Sequence, residues 1–66
     1  MLKDEIELRL NELKDCEVVK FTMIEGATFD IPVENIINYP DAEMIEAPID
    51  NFKCFYFDIA SIQPIL

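Results

Sequence analysis

The sequence predicts a small α+β domain, with one N-terminal amphipathic helix packed on an antiparallel sheet of four or five strands. Three observations predict it. Apolar residues recur at helical spacing over residues 2–14. From residue 17 onward the chain is rich in β-branched and aromatic residues, interrupted by Gly, Pro, Asn and Asp. Its 66 residues, 52% of them hydrophobic, form a single domain spanning 1–66, near the lower size limit for folding alone.

The helix is expected over 2–14. Leu2, Ile6, Leu10 and Leu13 make one stripe with a 3.6-residue period. Asp4 and Glu5 in the first turn and Lys14 in the last complement the helix dipole. Glu5 precedes Arg9 by four residues, the favourable order for an ion pair. Leu8 falls off the stripe and is expected in solvent.

Strands are expected at about 17–24, 27–33, 42–47 and 52–59. Parity chooses the turn between the first two. A two-residue loop at Glu25-Gly26 would oppose Thr22 to Phe29 and mix polar with apolar residues on both faces. A three-residue loop, Ile24-Glu25-Gly26, opposes Phe21 to Phe29, Val19 to Ile31, Lys20 to Asp30 and Thr22 to Thr28. It also brings the only glycine to the loop position that takes a left-handed conformation. Pro32 marks the second strand as unsuited to the middle of a sheet. Residues 34–39 read equally as one helical turn or as a second extended segment. Pro40-Asp41 and Pro48 to Asn51 read as turns.

The run Phe52 to Ile59 carries apolar residues on both faces, which predicts a central, doubly covered strand with Phe55, Phe57 and Ile59 deep in the core. The triplet Phe29-Asp30-Ile31 recurs 28 residues later as Phe57-Asp58-Ile59, a weak hint of two similar strand–turn–strand units. In outline, one helix followed by four or five antiparallel strands resembles the small SH3-like and Sm-like barrels. That likeness concerns architecture and carries no motif.

The composition excludes several chemistries. Without histidine there is no imidazole base, no Ser–His or Cys–His pair and no histidine metal ligand. One glycine excludes the glycine-rich phosphate loops, and two cysteines cannot build a four-ligand zinc site within one chain. Cys54 lies in an aromatic run and reads as a buried thiol. The expectation is a protein that is not an enzyme and needs no cofactor.

Charge narrows the partners. The chain holds 14 acidic and 5 basic residues, a net charge of −9. Beyond residue 20 there are eight acids against Lys53 alone. Such a surface repels phosphate backbones and anionic membranes, so neither nucleic acid nor membrane is expected as a direct partner. No run approaches a membrane span. The acidic N-terminus is unlike a signal peptide, and the expected setting is the cytoplasm, with Cys16 and Cys54 reduced.

What remains is surplus apolar surface and abundant carboxylate. The reading is a small acidic module that binds a protein partner or itself as a homodimer, with Tyr39, Glu43, Met44, Ile45, Glu46 and Phe52 as the candidate partner-binding residues. Two alternatives stay open. One is an acidic inhibitor that imitates nucleic acid before a nuclease or related enzyme, similar in size and charge to small phage inhibitors. The other is a regulatory domain for a small ligand or cation, using Asp41, Glu43, Glu46 and Asp50.

Overall fold

The computed structural model describes residues 1–65. Helix α1 (Lys3–Glu12) is followed by six strands: β1 (Val18–Met23), β2 (Thr28–Pro32), β3 (Ile37–Tyr39), β4 (Met44–Ala47), β5 (Phe52–Phe55) and β6 (Ile59–Pro64). They form two antiparallel three-stranded sheets, ordered β2–β1–β6 and β3–β4–β5. The fold is α+β with antiparallel sheets, as expected, but six short strands in two sheets replace four or five in one. Single 3-10 turns bend the chain from one strand to the next. Val33–Asn35 lies between β2 and β3, Pro40–Ala42 between β3 and β4, Pro48–Asp50 between β4 and β5, and Tyr56–Asp58 between β5 and β6. Residues 34–39 thus contain both of the conformations the sequence allowed.

The first hairpin has the expected register: Phe21 opposes Phe29, Val19 opposes Ile31, Lys20 opposes Asp30 and Thr22 opposes Thr28. Its loop is closed by Met23 N–H donating to the Ala27 carbonyl at 2.8 Å and Gly26 N–H donating to the Met23 carbonyl at 2.9 Å. Gly26 has φ +103°, which residues with a Cβ rarely adopt.

Hydrogen-bond parity explains where the strand prolines sit. In an antiparallel pair the backbone groups of successive residues point alternately toward and away from the neighbouring strand. The bonds Met23–Ala27 and Val33–Glu17 at the two ends of the β1–β2 ladder assign Phe29 and Ile31 to it. Thr28, Asp30 and Pro32 therefore turn their backbones to the free edge of β2, where a missing N–H costs the ladder nothing. The same count from the Ile65–Val18 bond turns Pro64 to the free edge of β6.

Thirteen buried apolar side chains fill the space between α1 and the sheets, with Ile6, Phe21, Ile45, Tyr56, Ile59 and Ile62 the most enclosed of the large ones. Phe52 joins the two sheets: its ring lies 5.0 Å from that of Phe21 and 5.1 Å from that of Phe29. Of the predicted helical stripe, Ile6 and Leu13 are buried and Leu10 packs against the core from its margin. Leu2 does not belong to it. It is the helix N-cap, extended at φ −75° and ψ 157°, and its side chain is exposed. Leu8 is exposed, as its position implied.

Helix α1 is tied down by polar contacts at both ends. The Met1 ammonium donates to the Tyr56 and Ile59 carbonyls, each at 2.8 Å. Arg9 Nε donates to the Ile62 carbonyl at 2.7 Å, and Arg9 Nη2 to Gln63 Oε1 at 3.1 Å. The Leu2 N–H is satisfied by the Glu5 carboxylate at 3.0 Å.

The prediction for residues 52–59 fails in an instructive way. Phe52, Cys54 and Tyr56 face the core, whereas Phe55 and Phe57 are 43% and 71% exposed. A single strand would keep one parity through residue 59. Instead the 3-10 turn at Tyr56–Asp58 advances with three residues per turn, so the inward position after Tyr56 is Ile59 and Phe57 is left outside. The repeated Phe-Asp-Ile triplet has no structural equivalence, since Phe29 lies within β2 and Phe57 within that turn.

Candidate functional site

The β3–β4–β5 sheet presents its outer face to solvent, and register decides which residues occupy it. Asn38, Ile45 and Cys54 lie opposite one another and face inward, where the Tyr56 hydroxyl donates to Asn38 Oδ1. The flanking rows face outward: Tyr39, Met44 and Phe55 in one, Ile37, Glu46 and Lys53 in the other. Phe57 extends the first row. Its ring stacks on Phe55 with centroids 5.7 Å apart and planes 5° from parallel. The Tyr39 hydroxyl donates to Glu46 Oε1 at 3.4 Å across the two rows.

Two of the six candidate binding residues are misplaced by the sequence reading. Ile45 is fully buried and Phe52 only 5% exposed, so neither stands on the outer face. Both point inward because they alternate with outward-facing neighbours, Met44 and Glu46 in β4 and Lys53 in β5. Tyr39, Met44 and Glu46 share the outer face, and Glu43 stands exposed at the turn that leads into β4. Phe55 and Phe57 were missed as surface residues. The available signal was Tyr56-Phe57-Asp58, an aromatic run ending in a turn-forming aspartate.

Two equivalent turns frame this sheet. Pro40–Ala42 and Pro48–Asp50 each begin with proline and end on a left-handed residue, Glu43 at φ 50° and Asn51 at φ 54°. The Glu43 carbonyl accepts the Tyr56 N–H at 2.8 Å, which fastens the first turn to the end of β5.

Along the other side of β5 runs a groove of about 450 Å³ that separates it from the first hairpin. Phe29 and Met23 line it from the hairpin, Phe52 and Cys54 from β5, and Glu25, Asp58 and Lys53 bring charge to it. Burial pushes the Cys54 thiol up from 9.0 to about 11, and the nearby Asp58 carboxylate adds to the effect. Burial likewise raises the Tyr56 phenol, partly offset by its bond to Asn38. A second hollow of about 470 Å³ lies beside Cys16, between the end of the helix and Val33. Both cysteines are free thiols.

The carboxylates proposed for a cation do not assemble. Among the described residues no group of three or more His, Cys, Asp or Glu side chains is placed to hold a metal ion. Asp50 instead accepts a hydrogen bond from Asn35 Nδ2 at 3.0 Å. The one ion pair among the described residues is Arg9 with Glu12 at 3.8 Å. No helix in them is long and apolar enough to cross a membrane.

Compared with known proteins, the chain matches no family model, no curated protein and no solved structure. The class defined here is therefore architectural: a small acidic α+β domain of two three-stranded sheets, with an aromatic row on the outside of one of them.

Proposed function

We propose that this protein is a non-catalytic interaction module that binds a protein partner through the outer face of β3–β4–β5. The observation that carries the reading is the stacked Phe55–Phe57 pair, set in solvent at the end of the Tyr39–Met44 row. Scattered exposed apolar residues are ordinary, but a contiguous aromatic row rimmed by polar groups marks an interface. Aromatic anchors dominate binding energy because they bury much area with few rotatable bonds. The surrounding acids, Glu43 and Glu46 among them, favour a partner of positive charge. A cytoplasmic setting accords with the two free thiols.

The test is the double variant Phe55→Ser/Phe57→Ser. Because both rings lie outside the core, the variant should fold and melt close to the parent. Proteins recovered by the parent from a cell extract should be lost with the variant, and any concentration-dependent self-association should be lost with it too. Undiminished recovery of the same partners by a folded double variant would refute the reading.

A further inference from the structure

We propose that the partner is held as an extended, basic segment added as a fourth strand to the free edge of β5. This rests on the reading of the protein as a binding module and names how the binding is done.

The sheets leave four edges, and three of them are guarded against a foreign strand. On β2 the free edge carries Pro32, which has no N–H, and the charged Asp30. On β6 it carries Pro64, and Arg9 from α1 already occupies the Ile62 carbonyl. β3 is only three residues long. The edge of β5 carries no proline, and its one charged residue is Lys53.

Parity settles which groups it offers. The Tyr56–Glu43 bond assigns Cys54 and Phe52 to the ladder with β4. Lys53 therefore turns its N–H and C=O away from β4, and Phe55 its N–H, while the Phe55 carbonyl caps the 3-10 turn that follows. An added strand would bond to these groups and alternate its side chains between two environments. One set would enter the groove over Phe29, Phe52 and Cys54. The other would lie on the outer face, beside the Phe55–Phe57 stack.

Charge selects among such strands. Glu25 and Asp58 line the groove against Lys53, and the whole chain carries −9. The carboxylate of Asp58 is felt at the groove floor, where it helps hold the Cys54 thiol protonated. Lysine or arginine on the incoming segment would answer these acids, and exposed aromatic faces add cation–π attraction.

The probe is the blocked peptide acetyl-Lys-Val-Lys-Val-Lys-Val-amide, titrated into the ¹⁵N-labelled protein, with its Glu-Val counterpart as control. The basic peptide should shift the Lys53 and Phe55 amides and slow their hydrogen exchange by about tenfold or more. The acidic peptide should do neither. Lys53→Pro removes the outward N–H without touching the β4 ladder, as Pro32 does in β2, and should abolish the response. Lys53→Thr keeps the N–H and should preserve it. Exchange measured on the parent chain decides the matter even if Lys53→Pro misfolds.

Four results would overturn the proposal: equal response to both peptides, no response at millimolar basic peptide, shifts confined to Tyr39 and Met44, or pairing of two copies of this chain through the same edge. If one of these occurs while Phe55→Ser/Phe57→Ser still loses its partner, the module reading stands and only its mode is refuted.

Discussion

The rings of Phe55 and Phe57 stack in parallel, 5.7 Å between centroids, on the outside of the protein. Their contact contributes on the order of 0.5–1.5 kcal/mol beyond buried area, far less than a core position. Phe57→Ala is therefore expected to lower stability by no more than about 1.5 kcal/mol. Tyr56→Ala, one residue earlier and 1% exposed, should cost about 3–5 kcal/mol. Thermal melts of the two variants side by side check the inversion, and a collapse of Phe57→Ala would place that ring inside.

What could be seen in the sequence follows from which elements obey a single period. The first hairpin obeys the strand period throughout, and its glycine fixes the loop, so its register is legible residue by residue. The helix obeys 3.6 except at Leu2, where the chain has not yet entered the helical conformation. Residues 52–59 begin with a period of two and pass into a turn with a period of three, and no local residue announces the change before Asp58. Ile45 and Phe52 were misassigned to the surface for a related reason. Apolarity alone does not say which face of a strand is inward. That face is set by partners distant in sequence, such as Phe21 for Phe52.

Cys54 should resist thiol reagents near neutral pH while Cys16, half-buried beside an open hollow, reacts first. Burial, then the charge of Asp58, raises the Cys54 thiol to about 11 from 9.0. A group whose folded pKa is raised contributes stability that is complete below the unfolded value and lost as pH climbs through the folded one. The loss should therefore fall between about pH 9 and 11. Melting temperatures across that window should decline less for Cys54→Ala than for the parent, and two-step labelling at pH 8 should show one fast thiol and one slow.

Arg9 holds the helix to β6 through its bond to the Ile62 carbonyl at 2.7 Å. A hydrogen bond from a charged donor contributes about 1.5–3 kcal/mol, and its loss would also uncover a strand edge. Arg9→Met keeps most of the aliphatic stem and should cost about 1–3 kcal/mol in chemical denaturation. Arg9→Lys should recover only part of it, because one ammonium cannot reach both the Ile62 carbonyl and Gln63 Oε1 in the same fork. Full recovery by lysine would show that charge alone anchors the helix.

Glu43 occupies the left-handed region at φ 50° and ψ 50°, a conformation that costs a residue with an ordinary side chain about 1–2 kcal/mol. Its counterpart in the equivalent turn is Asn51, whose short polar side chain tolerates that region. Glu43→Asn should therefore stabilise the protein, by about 0.5–1 kcal/mol, without disturbing the backbone bond from Tyr56 to the residue 43 carbonyl. The same change removes one of the acids beside the aromatic row. If that carboxylate steers a basic partner, association should slow as the melting temperature rises, and the slowing should fade as salt is added. A higher melting temperature with an unchanged association rate would leave Glu43 as a strained turn residue outside the binding surface. A lower melting temperature would contradict the strain argument itself.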